Sequence, residues 1–286
     1  MRIELDTSVL KSLIIMGFVI EARDPYTGGH LWRVSRYTEE IGRELGLDAE
    51  PVFQARMCGF LHDLGKVGVP DAILRKESRL DDAEFETMKT HPIVGGTIMS
   101  EHPLRDMVYK AILGHHERMD GQGYPYGLHS NQISVITRAV SVADALDAMT
   151  SNRPYRKGMP INKAIERLLE ASDTQFERKS VDAIVSLSER GLLDSIQGHS
   201  DEGRPMVTCP RCGPVVALPR SKGDGDTVFC PVCAAEGKIH DHSEGWEMEP
   251  THQHGTPRDM RYEPDLGLIQ EIVQQAPGSI TLLNSV

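Results

Sequence analysis

Residues 51–66 read PVFQARMCGFLHDLGK, and this stretch decides the architecture. Pro51 suits the first turn of a helix, where the backbone N–H it lacks is not needed. Phe53, Met57, Phe60, Leu61 and Leu64 recur at the spacing of one buried helical face, with His62 and Asp63 at the end of it. A lone His-Asp pair would say little. This chain also supplies His30, His91, the adjacent pair His115-His116 and Asp144. Several nitrogen and oxygen ligands gathered in one place are what two metal ions sharing a site require.

The helical period extends to both sides of this stretch. Leu10, Leu13, Ile14, Gly17 and Phe18 form one face leading towards His30, and Val34, Tyr37, Ile41 and Leu45 continue it until Gly46 ends the helix. Further helices are predicted over 82–90, 92–101 and 103–116, the last burying Leu104, Met107, Val108, Ala111 and Ile112. Ile136, Ala139, Val140 and Ala143 lead the helix that carries Asp144. Another follows Pro160 with Ile161, Ala164, Ile165, Leu168 and Leu169, and Gly191 closes a last one. No alternating strand pattern precedes Leu193. Residues 1–193 are therefore predicted to be an all-α bundle with its ligands projecting inward.

Residues 194–206 have the composition of a linker. Beyond them, CPRC from Cys209 to Cys212 and CPVC from Cys230 to Cys233 make two CxxC knuckles at the spacing of one structural zinc, a closed site. Val215, Val216 and Leu218 before Gly223-Asp224-Gly225, with Val228 and Phe229 after, read as a hairpin, so 207–239 is predicted as a small zinc ribbon. Residues 240–286 carry His240, His242, His252 and His254 in acidic company and read as a partly disordered tail. Leu266, Leu268, Ile269, Ile272 and Val273 nevertheless have the spacing of a short helix that would dock on the main domain.

The formal net charge is −11, made up of −4 over residues 1–193 and −7 over residues 194–286. Broad, salt-driven binding to nucleic acid is thereby disfavoured, and an anionic substrate must be met locally. The longest apolar run, Leu13 to Ile20, is far short of the ~20 residues of a membrane span, and the start lacks a signal peptide's basic segment. A cytoplasmic protein is expected, in which cysteines bind metal in preference to forming disulfides. His102 and His129 read as helix-boundary residues and Cys58 as a core thiol.

Five motifs occur in order: RDPYTGGH from Arg23 to His30, HDLGKVGVP from His62 to Pro70, His91-Pro92, HHERMDGQGYP from His115 to Pro125, and VADALDAMTSNRPYR from Val142 to Arg156. Together they resemble the HD-GYP family of HD-domain metal-dependent phosphohydrolases. The resemblance implies one divalent metal on His30, His62, Asp63 and Asp144 and a second on Asp63, His91, His115 and His116, with Asp63 as the bridge. Iron is favoured and manganese is the alternative. It implies Lys66 and Asp63 as catalytic groups, and Gly123, Tyr124, Arg153 and Arg156 as substrate contacts. Asp24 is the candidate for holding the far nitrogen of a ligating imidazole.

The implied reaction opens cyclic di-GMP to the linear dinucleotide, or on to GMP, by attack of a metal-bridging hydroxide. Two alternatives remain. One is a cyclic di-GMP sensor with little catalysis that reports to a protein partner through the ribbon or tail. The other is an HD phosphohydrolase acting on another nucleotide, against which the Gly-Tyr-Pro loop speaks. Family members with three metals carry glutamate where Tyr26 stands here, so two metals plus one zinc are expected. The ribbon, a closed site beyond a linker, is expected to be dispensable, with truncation near Gly198 leaving an active helical domain.

Overall fold

The computed structural model describes residues 2–24, 28–152, 157–242, 245–260, 262 and 264–281. Ten helices lie in its first two thirds: α1 (Thr7–Arg23), α2 (His30–Glu44), α3 (Ala49–Leu61), the single turn α4 (Asp71–Leu74), α5 (Asp82–Met88), α6 (His91–Met99), α7 (Arg105–Gly114), α8 (Val135–Thr150), α9 (Ile161–Glu170) and α10 (Arg178–Glu189). Their starts are set by local side chains. Asp6 accepts from the N–H groups of Ser8 and Val9, Ser134 accepts from Thr137, and Asp81 forms a reciprocal capping box with Glu84.

The predicted apolar faces meet in one core, where Leu13, Tyr37, Met57, Phe60, Val140, Leu146 and Ile184 are buried. Helix α3 runs beside α2 in backbone contact. A Cβ on Gly59 would lie 2.8 Å from both Ser35 Cα and the Val34 carbonyl oxygen, so only glycine lets the HD-bearing helix come this close to the His30-bearing one.

The second half departs from expectation in three places. The segment predicted as a linker forms a hairpin, β2 (His199–Asp201) with β3 (Arg204–Pro205), and Ser200 and Asp201 are buried. Strands this short carry no readable period, and polar residues concealed them. The hairpin predicted between the two knuckles does not form either. Strand β4 (Val207–Cys209) pairs with β5 (Gly213–Val216), and β6 (Thr227–Phe229) pairs with β7 (Ala235–His242), so each CxxC sits in the turn of its own hairpin. Val207, Val216, Leu218, Ile239 and Met248 form a separate small core around the cysteines.

The predicted disordered tail is the third departure. Strand β8 (Gly245–His254) extends the β6–β7 sheet, and the four histidines lie on β7 and β8. Helix α11 (Leu266–Gln275), capped by Asp265, buries Leu268, Ile269 and Ile272 in the main helical core. Strand β9 (Ser279–Thr281) pairs antiparallel with β1 (Arg2–Glu4), a strand that the sequence pattern does not reveal. The docking of α11 follows the spacing of its apolar residues, which pack against α1, while Arg56 of α3 pairs with Glu271. Among the described residues no helix is long and apolar enough to cross a membrane.

Candidate metal centre

All seven expected ligands converge. His30 opens α2, His62 and Asp63 follow α3, His91 opens α6, His115 and His116 follow α7, and Asp144 lies within α8. Asp63 stands between two groups. Its Oδ2 lies 3.5 Å from His30 Nε2 and 3.3 Å from His62 Nε2, while its Oδ1 lies 3.4 Å from His91 Nε2 and 3.8 Å from His115 Nε2. Asp144 Oδ1 approaches the same nitrogens of His30 and His62, at 3.6 and 3.7 Å. The ligand atoms of His30, His62 and Asp144 fall within 4.8 Å of one another, and so do those of His91, His115 and His116.

The donor set fits divalent cations. His30 Nε2 and His62 Nε2 are buried without a hydrogen-bond partner, and an unsatisfied buried nitrogen costs about 1–3 kcal/mol unless something accepts its lone pair. The opposite ring nitrogens are all engaged in four of the five rings. Nδ1 of His62, His91 and His115 donates to the backbone carbonyls of Gly59, Met88 and Ile112 at 2.8, 2.8 and 3.0 Å. Such bonds fix the tautomer and aim the Nε2 lone pair inward.

His30 Nδ1 is held by Asp147 Oδ2 at 2.8 Å, so for this ring the work falls to Asp147, while Asp24 is buried at the end of α1. Asp147 in turn accepts from Arg33 Nε at 2.5 Å and Nη2 at 3.2 Å. The one sequence signal for the pair is spacing: Asp147 follows Asp144, and Arg33 follows His30, by the three residues that place side chains on one helical face.

Lys66 lies in a short 3-10 turn, Leu64–Gly68, and its Nζ reaches Asp63 Oδ2 at 2.5 Å. Arg23 fixes that turn, donating to the carbonyls of Lys66, Val67 and Val69 and pairing with Asp71 at 2.6 Å, a role its place in the first motif does not announce. Gly65 permits the turn to touch α6, since a Cβ there would sit 1.7 Å from the His91 carbonyl oxygen.

In the Gly-Tyr-Pro loop, the Tyr124 ring stacks on His116 with centroids 4.7 Å apart, and Lys89 Nζ lies 5.5 Å from its centre. Positive φ occurs at Gly121 and Gly127, and Gly123 is needed because a Cβ would meet Arg118 N at 2.4 Å. Glu117, buried and not foreseen, ties the loop down by accepting from the N–H groups of Tyr126 and Leu128 at 2.7 and 2.9 Å. Arg153, Arg156 and Tyr26 lie outside the described residues.

His102 accepts from the Leu104 N–H, His129 caps a short turn with Gln132, and Cys58 donates from the core to the Met107 carbonyl. In the small module Cys209, Cys212, Cys230 and Cys233 bring their sulfurs within 4.8 Å of one another.

The two halves of the cluster differ electrostatically. Burial opposes charge on His62, but Asp63 and Asp144 outweigh it and push its pKa up to about 10. Burial pushes His91 down to about 3 and His116 to about 4, and holds His115 well below its usual value. Without metal, His62 therefore carries a proton at neutral pH and the His91 group does not. A cation entering the His30 half must displace that proton, so its affinity there should rise about tenfold per pH unit near neutrality, while the other half stays nearly flat. Calorimetric titration with Mn(II) in two buffers of different ionisation heat should show proton release for one ion of the pair. Release for neither ion would contradict the assignment.

Comparison with known proteins gives a family and a set of relatives. A family model described as the HD domain matches residues 16–179. A 3'3'-cGAMP-specific phosphodiesterase of Vibrio cholerae is 36% identical over 177 residues, covering 62% of this chain and 38% of that protein. A cyclic di-GMP phosphodiesterase of Thermotoga maritima is 35% identical over 201 residues, covering 70% and 54%. Another from Pseudomonas aeruginosa is 37% identical over 225 residues, covering 77% and 53%. The aligned part thus spans about half or less of each relative's length.

Proposed function

This chain belongs to the HD-domain family, and from that premise we propose that its histidine–aspartate cluster holds two divalent metals and hydrolyses the phosphodiester bonds of a cyclic dinucleotide, cyclic di-GMP foremost. The observation that carries the reading is Asp63, with one carboxylate oxygen turned towards each histidine group. His30, His62, Asp63 and Asp144 would hold one ion, and Asp63, His91, His115 and His116 the other. When bound, two such ions neutralise phosphate oxygens and make a shared water acidic enough to react near neutral pH. Imidazole and carboxylate without thiolate suit iron or manganese. The four cysteines, lacking an open position, suit one structural zinc.

The remaining residues act directly on the substrate. Lys66 is placed to meet a non-bridging phosphate oxygen, and it already stabilises its neighbour: burial works against an ionised Asp63, but Lys66 and His62 outweigh it and hold the carboxyl well below the usual range. Tyr124, stacked on His116 beside the cluster, is assigned the contact with a base. Arg153 and Arg156 are assigned the remaining phosphate contacts. The substrate class is supported by the relatives named for cyclic di-GMP and for 3'3'-cGAMP, and by the Gly-Tyr-Pro loop.

The test is turnover by the full chain, loaded with iron or manganese, on cyclic di-GMP, 3'3'-cGAMP and cyclic di-AMP, with products separated chromatographically. Linear dinucleotide should appear fastest from cyclic di-GMP. Tight binding of all three without product would mark a sensor and overturn the reading.

A further inference from the structure

The residues on either side of His30 are both held by the β2–β3 hairpin. Before it, Gly29 sits at φ +70°, and a Cβ there would lie 2.7 Å from Ser200 Cα and 3.0 Å from the His199 carbonyl oxygen, so hairpin and α2 are in backbone contact. After it, Arg33 divides its donors: Nε and Nη2 hold Asp147, the partner of His30, while Nη1 donates to the His199 carbonyl at 2.8 Å. One guanidinium thus spans the metal centre and the hairpin.

The far side of the hairpin is fastened to the cysteine module. Buried Asp201 accepts two hydrogen bonds from Arg220, one at 2.7 Å, and Arg220 also pairs with Glu271 of α11. Arg204 donates to the carbonyls of Pro219 and Lys222 at 3.0 and 3.2 Å. Strand β3 is separated from β4, which ends at Cys209, by Met206 alone. Order in the cysteine module therefore fixes the hairpin, and the hairpin fixes Arg33 and Gly29.

Resting on the two-metal reading above, we propose that the β2–β3 hairpin couples the cysteine module to the metal centre. It would do so by seating Arg33, a positioning residue, against Asp147 and so aiming His30. The coupling is asymmetric because His30 belongs to one half of the cluster and the hairpin contacts described here flank only that histidine. Loosening the hairpin should weaken the ion on the His30 half and spare the other.

The test is Mn(II) binding to the full chain, followed by electron paramagnetic resonance, with Arg220→Gln and Asp201→Asn as separate variants. Arg220 is partly exposed and its side chain bonds to Asp201 and Glu271, so its replacement removes none of the seven candidate metal ligands. Wild type should show the exchange-coupled signal of a manganese pair. Either variant should bind one ion as wild type does and the second about tenfold more weakly, the scale seen when a partner of a metal ligand is disturbed, with a mononuclear signal replacing the pair. Pair formation at wild-type affinity in both variants, or equal weakening of both ions, would overturn the coupling. Absence of any pair in the wild type would instead remove the two-metal reading on which it rests.

Discussion

Asp63→Ala is expected to leave the protein without either metal of the helical site and without turnover. Its two oxygens face different histidine groups, and among the described residues it is the carboxylate with an oxygen within 4 Å of both. Asp144→Ala gives the contrast, because Asp144 Oδ1 lies within 4 Å of His30 and His62, and its loss should cost one ion. Lys66→Ala should keep both ions and lower turnover by about 10²–10³-fold, the effect of losing one transition-state donor. Elemental analysis of the three folded variants checks the pattern, and full metal content in Asp63→Ala would refute the bridging role.

Deleting residues 265–286 is expected to abolish cooperative folding of the helical domain. Leu268, Ile269 and Ile272 are almost wholly buried in its core, and exposing three such side chains costs about 5–9 kcal/mol, within the range of a domain's entire stability. Arg56, buried on α3, would lose Glu271 at 2.9 Å and keep only Glu39 at 3.8 Å. Breaking a buried ion pair on one side adds about 3–5 kcal/mol. Thermal unfolding followed by circular dichroism is the measurement. A sharp transition at the wild-type temperature would show that α11 is peripheral. The sequence reading, which held everything beyond Gly198 dispensable, leads to the opposite expectation, because it placed a flexible linker where a buried hairpin lies.

That contrast marks where residues alone are informative. The helices were legible because each buried face repeats every three or four residues, as Leu10, Leu13, Ile14 and Gly17 do. The residues that converge in the histidine–aspartate cluster were legible because adjacent pairs such as His115-His116 have few uses in a buried position other than metal binding. Asp147, Arg33, Arg23 and Glu117 were not, since each is defined by a partner brought near only by folding; His30 and Asp147 are 117 residues apart. Short strands such as β2 and β3 offer no period to read. Composition misled between residues 245 and 254, where an acidic, His-containing stretch read as disordered forms β8, whereas the spacing of Leu268, Ile269 and Ile272 did disclose the docking face of α11.

Anomalous scattering at the iron and zinc edges, from crystals of freshly purified, iron-loaded protein, tests the central claim most directly. Two iron peaks about 3.5–4 Å apart should straddle Asp63, one oxygen to each, and a single zinc peak should lie among the four cysteines. No third ion should appear beside Tyr26, because a neutral phenol with a pKa near ~10 is a poor ligand for such cations. A single ion in the helical site, or two ions of which Asp63 touches only one, would contradict the account.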